Sequence, residues 1–109
     1  MRKTSFSEIY EREFTGPIRS EVECWDPDTI YYEQSGDYIQ LVFFICPCGC
    51  GGATVLPTYM NPDTKEGKEP MWLVEKKDDK ISLTPSIWRK QPNSCNAHYF
   101  LKNNEVQWC

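Results

Sequence analysis

The sequence lacks both a long hydrophobic segment and an excess of positive charge. Its longest apolar run, at residues 41–45, is far too short to span a bilayer. The first residues lack the apolar core of a secretory signal, and Glu8 and Glu11 follow too soon for one. Lys and Arg number 12 against 16 Asp and Glu, a net charge of -4. This charge argues against nucleic acid or an anionic membrane as the main partner. Because the first residues do not resemble a secretory signal, we expect a cytoplasmic protein.

Familiar catalytic motifs are also missing. There is no G-x-S-x-G turn, no P-loop and no H-E-x-x-H helix. Histidine occurs once, at His98, so any histidine-dependent acid–base chemistry must use it. Ser86 follows Pro85 where a strand is predicted to end, and it could act as a nucleophile if His98 lay within hydrogen-bond reach. On these residues alone, a turn explains Ser86 better than catalysis does.

Acidic residues that could orient the imidazole are present but not distinctive. Asp78, Asp79 and Glu105 lie in or beside predicted turns, where charged side chains are usually solvated. The sequence therefore leaves a third catalytic residue open.

The six cysteines matter because the chain is small. A domain of 109 residues buries only a modest core and is usually stabilised further by a cross-link (a staple), either a disulfide or a structural metal. Disulfides are typical of secreted proteins, and cysteines two residues apart bridge each other poorly. Clustered thiols in a reducing compartment are more often metal ligands, which favours zinc over a disulfide-stapled secreted domain.

One half of a zinc site is indicated by a C-P-C-G-C run, whose cysteines are Cys46, Cys48 and Cys50. The neighbouring glycines let backbone amides point at thiolate sulfurs. The best candidate for the second half is Cys95, which has C-x-x-H spacing with His98. Cys109 is a further candidate, whereas Cys24 is better explained as a small buried hydrophobe. Since a zinc-bound nitrogen cannot act as a base, the two roles of His98 compete.

The remaining pattern predicts a mainly β fold of short antiparallel hairpins. Runs of β-branched and aromatic residues predict strands at residues 29–34, 38–45, 53–59, 71–75, 80–84, 98–102 and 105–108. Asn103 and Asn104 tolerate the positive φ values of a type I′ turn. Without repeats or linkers, residues 1–109 are predicted to form one zinc-stapled domain. Residues 1–28 are its N-terminal arm or a short helix, and residues 29–109 are its core.

Several motifs, taken in order, resemble the BubE-like family of small bacterial proteins, which are encoded beside ubiquitin-like, E1-like and E2-like proteins. The motifs are C-P-C-G-C-G at residues 46–51, W-L at 72–73, S-L-T-P-S-I at 82–87, C-N-A-H-Y-F-L at 95–101 and V-Q-W-C at 106–109. The resemblance implies a cytoplasmic bacterial serine protease that processes or deconjugates a ubiquitin-like protein. It assigns Ser86 as the nucleophile and His98 as the base. It also implies structural zinc held by cysteines, for which the candidates are Cys46, Cys48, Cys50 and Cys95. Which of Cys48, Cys50 and Cys109 bind the metal stays open at this point.

Two hypotheses follow from these patterns. In the first, the protein is a deubiquitinase-like serine peptidase whose substrate tail is read by strand addition at an exposed β edge. In the second, it is a non-catalytic zinc-stabilised β module that binds a protein partner through exposed aromatics such as Trp88 and Trp108. Because His98 completes the metal site only in the second hypothesis, the metal content of a variant without this histidine separates the two.

Overall fold

The computed structural model describes residues 3–12, 24–36, 38–60, 71–89 and 95–109. Within these ranges the protein is mainly β and contains eight strands. They are β1 (Glu8–Glu11), β2 (Thr29–Ser35), β3 (Tyr38–Ile45), β4 (Ala53–Tyr59), β5 (Trp72–Lys77), β6 (Lys80–Trp88), β7 (His98–Lys102) and β8 (Glu105–Trp108). No helix in these ranges is long and apolar enough to cross a membrane.

The eight strands form one sheet in the order of the chain, from β1 to β8. The β1–β2 and β4–β5 pairs are parallel, and the other neighbours are antiparallel. Ser5 forms a bridge with Glu105, and the backbone N–H of Val106 donates to the C=O of Thr4 at 2.8 Å. The segment before β1 therefore meets β8, and the sheet curls around a shared core.

The predicted mainly β fold is confirmed, and its central strand is β3. Val42 and Phe44 are fully buried in the main core, where Phe44 packs against Phe6 at 5.2 Å between ring centroids. Phe43, also fully buried, packs instead against Trp25 and Tyr31 at 4.9 and 5.5 Å. Both faces of β3 are thus covered, which explains its nearly continuous apolar sequence.

The turns follow the local signals in the sequence. Asn103 and Asn104 have φ values of 49° and 66° between β7 and β8, as a type I′ turn requires. Asn104 is buried, and its Oδ1 accepts a hydrogen bond from the backbone N–H of Ile81 at 2.8 Å. The turn is therefore fastened to β6 as well as closing its own hairpin.

The N-terminal segment, for which the sequence left a helix or an arm open, contains strand β1 paired with β2. A nearly buried ion pair between Arg12 and Glu33, 2.8 Å apart, joins these strands where β1 ends. Residues 1–2 and 13–23 of this N-terminal segment, and residues 61–70 between β4 and β5, lie outside the described residues.

Strand β6 differs from its prediction. It was expected to end at Thr84, before Pro85, but it continues to Trp88. In the register with β7, Leu83 lies opposite Leu101 and the next pair is Ile87 opposite Tyr99. Between these pairs β6 therefore contains two more residues than β7 does. Such a bulge tolerates proline because the ladder is interrupted there. The prediction of a strand end was wrong, and Ser86 lies inside the irregularity.

Candidate functional site

Four of the six cysteines come together at one end of the sheet. Cys46 is buried where β3 ends, the turn that follows supplies Cys48 and Cys50, and Cys95 arrives just before β7. Their four sulfur atoms all lie within 4.8 Å of one another. The turn depends on glycine, because Gly49 has a φ of 93° in the left-handed region.

The donor set and its spacing fit a metal ion. A tetrahedral site with metal–sulfur bonds of about 2.3 Å places its sulfurs about 3.8 Å apart. The Cys46 sulfur lies 3.4 Å from that of Cys48 and 3.5 Å from that of Cys95. The backbone N–H groups of Cys50 and Gly52 donate to the sulfurs of Cys48 and Cys50, at 3.4 Å each. The group that the sequence predicts as metal ligands is thus brought together in the form that a thiolate metal site needs.

The two remaining cysteines lie outside this cluster. Cys24 and Cys109 are exposed, and all six cysteines are free thiols. The prediction that Cys24 is a buried hydrophobe was wrong. The further metal candidate, Cys109, instead ends the chain beside β7, where its backbone N–H donates to the C=O of His98 at 3.1 Å.

The four thiols differ in acidity. Burial raises the pKa of Cys46 to about 12, although a hydrogen bond from the backbone N–H of Cys48 partly opposes this. Burial also raises the pKa of Cys95, but the backbone N–H of Ala97 and the neighbouring thiols lower it to about 7. Cys95 is therefore the first of these two thiols to become a thiolate as the pH rises.

A cation borders the cluster at the end of β6. The Nη1 atom of Arg89 lies 3.6 Å from the sulfur of Cys50 and 3.8 Å from that of Cys95. Gly52 leaves space for this side chain, since a Cβ there would lie 2.6 Å from the same nitrogen. The sequence alone did not identify Arg89, because only the folded turn brings residues 50 and 95 to it.

The second arrangement is a serine–histidine pair next to the cysteines. The Oγ atom of Ser86 lies 2.9 Å from the Nε2 atom of His98. Both residues are half-buried, Ser86 in the irregularity of β6 and His98 at the start of β7. The geometry permits the serine hydroxyl to donate to a neutral imidazole, which is the arrangement that activates a serine nucleophile.

The imidazole of His98 is held on its other side by an aromatic ring. Trp88, opposite His98 in the β6–β7 register, stacks on it with ring centroids 4.9 Å apart and an interplanar angle of 17°. The Nε1–H of Trp88 donates to the Oδ1 of Asn96 at 3.1 Å, and Asn96 has a φ of 55°. These contacts fix the plane of the histidine ring. No local pattern in the sequence indicates these contacts, since residues 88 and 98 meet only through the strand register.

The acidic residues considered for a triad lie elsewhere. Asp78 and Asp79 form the turn between β5 and β6, and Glu105 begins β8 opposite Lys102. The pairing places these turns at the ends of β6 and β7 that are remote from Ser86 and His98. Among the described residues, no carboxylate is hydrogen-bonded to the histidine ring.

The two arrangements are separate but linked through the chain. His98 is not part of the cysteine cluster, and three positions along the chain separate it from Cys95. On the other strand, Arg89 follows Ser86 by the same interval, and its backbone N–H donates to the C=O of Ala97 at 2.8 Å. The end of β6 and the start of β7 thus each carry one residue of the pair and one residue that contacts the cluster.

Comparison with known proteins adds one match. A protein-family model described as "Bacterial ubiquitination-like system serine protease (BubE)" matches residues 14–109, nearly the whole chain. No curated protein and no solved structure matches the chain.

Proposed function

Because the chain belongs to the BubE family of bacterial ubiquitination-like system serine proteases, we propose that it is a serine peptidase in which Ser86 is the nucleophile and His98 the general base. The observation that carries this proposal is the 2.9 Å contact between Ser86 Oγ and His98 Nε2. The distance lies within the range over which a base removes the proton of an attacking hydroxyl.

The reaction proceeds in two steps. Ser86 Oγ attacks the scissile carbonyl while His98 Nε2 takes the hydroxyl proton, and the imidazolium then gives this proton to the leaving amine. The resulting acyl-serine is attacked by water, which loses a proton to His98 as the ester bond to Ser86 breaks. The histidine then returns the proton to the serine oxygen, so that the free enzyme is restored.

The irregularity in β6 supports stabilisation of the oxyanion. Ser86 has no register partner in β7, because the pairing passes from Leu83 directly to Ile87. A backbone N–H released from a ladder in this way is available to the negatively charged oxygen of a tetrahedral intermediate. The bulge therefore serves two purposes in the proposed site: it aims the hydroxyl of Ser86 and supplies a donor near it.

The histidine needs no carboxylate to keep its orientation in this proposal. Stacking on Trp88 fixes the plane of the ring, and the contact with Ser86 fixes its rotation. We accordingly propose a Ser86–His98 dyad, with Trp88 as a positioning residue.

We further propose that the metal is zinc and that its role is structural. The ligands would be Cys46, Cys48, Cys50 and Cys95, which supply four sulfur donors and leave no open position for a substrate. Bound zinc would fix the segment that leads from Cys95 to His98. Free thiols of this kind persist in a reducing compartment, so we place the protein in the bacterial cytoplasm.

The substrate in this proposal is a ubiquitin-like protein, whose C-terminal tail carries the scissile bond. This choice rests on the system that the family description names. The alternative, a non-catalytic zinc module, requires His98 to complete the metal site. Its ring lies against Ser86 and not among the four sulfurs, which favours the peptidase.

The direct test is removal of the serine hydroxyl. Ser86→Ala should abolish cleavage of a ubiquitin-like protein fused to a reporter, while metal content and melting temperature stay unchanged. Ser82→Ala is the matched control on the same strand, because that hydroxyl accepts a hydrogen bond from the Asn103 backbone N–H and does not contact His98. Full activity of Ser86→Ala would refute the proposed mechanism.

A further inference from the structure

Strand β5 fills only part of the gap between its two neighbours. Its ladder with β4 consists of Trp72 opposite Thr58 and Leu73 opposite Tyr59. Its ladder with β6 begins at Leu73 opposite Thr84. Before Trp72, β5 no longer separates β4 from β6.

Among the described residues, this part of the gap is lined as a cavity of about 360 Å³. One wall is the first half of β4, residues 53–56, and the other is the end of β6, residues 87–89. Trp72 lines it as well, and its Nε1–H donates to the C=O of Ser86 at 3.3 Å. The cavity therefore continues the position of β5, and its lining includes Ile87, which follows Ser86 in the chain, and Trp88, which stacks on His98.

The wall formed by β4 presents backbone hydrogen-bonding groups to the cavity. The N–H of Cys46 donates to the C=O of Gly52 at 2.8 Å, so Gly52 faces β3. Successive residues of an antiparallel ladder face opposite sides, and Ala53 and Val55 therefore direct their N–H and C=O groups away from β3. Pro57, two positions after Val55, also faces away from β3, so its lack of an N–H removes no hydrogen bond from the β3–β4 ladder. No described residue pairs with Ala53 or Val55 on the side of the cavity.

We propose that this gap binds the C-terminal tail of the substrate as an added strand in line with β5. The inference rests on the proposed function above and specifies how that site recognises its substrate. An extended backbone is the occupant that satisfies both the N–H and the C=O groups of an open strand edge. Strand β5 itself shows that one strand fits between β4 and β6.

The direction of the tail follows from the two flanking strands. If it runs as β5 does, parallel to β4 and antiparallel to β6, it enters beside Arg89 and reaches Ser86 with its last residues. Its scissile carbonyl then lies beside the serine hydroxyl. Backbone hydrogen bonds in the gap supply affinity with little demand on side-chain identity.

The test removes one backbone donor from the gap. Val55→Pro deletes the N–H that faces the cavity but no N–H of the β3–β4 ladder, and Val55→Ala is the matched control that keeps this donor. Loss of one hydrogen bond should lower kcat/KM for a ubiquitin-like fusion roughly three- to tenfold in Val55→Pro relative to Val55→Ala. Labelling of Ser86 by a small fluorophosphonate, which does not need the gap, should be equal in both variants and shows that each is folded.

A second measurement uses the unsubstituted protein and does not depend on folding of a variant. A synthetic peptide with the sequence of the substrate tail should inhibit cleavage of the fusion. Methylation of its backbone nitrogens, one position at a time, should weaken inhibition roughly three- to tenfold at each position that lies between β4 and β6, because a strand with two neighbours uses the N–H of every residue. Inhibition by the methylated peptides equal to that by the unmethylated peptide, or equal kcat/KM of the two Val55 variants, overturns strand addition while leaving the peptidase intact. If the unsubstituted protein cleaves no fusion, the proposed function fails and the inference fails with it.

Discussion

Replacement of His98 by alanine tests whether the serine–histidine pair and the cysteine cluster are separate sites. The ring lies 2.9 Å from Ser86 Oγ and stacks on Trp88, whereas the metal site has four sulfurs of its own. We expect His98→Ala to retain one metal ion per chain. Loss of a general base should lower kcat by about 10²- to 10⁴-fold. Loss of the stacked ring should lower the free energy of unfolding by about 0.5–1.5 kcal/mol.

The three quantities are measured on the same preparation. Elemental analysis gives the metal content, cleavage of a ubiquitin-like fusion gives kcat, and thermal unfolding should show a decrease in melting temperature of about 2–12 °C. Cys95→Ser is the reciprocal variant, because it removes a proposed ligand and leaves the histidine in the chain. It should lose metal and also activity, since Cys95 lies only three positions before His98. If His98→Ala lost its metal while keeping a stable fold, the separation of the two sites would be refuted.

Two further predictions concern single contacts. Arg89→Met should release metal to a chelator faster than Arg89→Lys, because the guanidinium lies within 4 Å of two cluster sulfurs and lysine keeps the positive charge; equal release rates would contradict a charge-balancing role. Asn104→Ala should lower the free energy of unfolding by about 2 kcal/mol in urea titrations. It leaves the buried N–H of Ile81 without its acceptor and places alanine at a φ of 66°, whereas Asn104→Gly should recover only the part due to φ.

Local signals predicted most of the strands but not the way in which they assemble. Strands β3 and β4 have the predicted bounds because β-branched and aromatic runs end at strong turn residues. The last hairpin was also predicted correctly, because Asn103 and Asn104 adopt the positive φ values that its turn requires. The two parallel pairings, β1–β2 and β4–β5, join segments separated by long connections, and no local pattern encodes such a partner.

The candidate site divides in the same way. Spacing was enough to group Cys95 with the C-P-C-G-C run, because metal ligands recur at short, regular intervals. The end of β6 was predicted wrongly, because Pro85 is tolerated only through a register shift that depends on β7. That same shift determines where Ser86 points. The stacking of Trp88 on His98 could not be predicted from the sequence either, because the two residues are neighbours only through the pairing of β6 with β7.

The position of the cysteine cluster explains why a structural metal would matter to a peptidase of this size. Strands β3 and β7 are four places apart in the sheet, so no ladder of backbone hydrogen bonds joins them. Cys46 follows β3, Cys95 precedes β7, and the two are 49 positions apart along the chain. A metal that bound both would close this long loop and remove conformational freedom mainly from the unfolded chain, as a disulfide does. It would also fix the start of β7, where His98 must stay within 3 Å of Ser86. The activity lost in Cys95→Ser is therefore expected to reflect displacement of the histidine and not a missing catalytic metal.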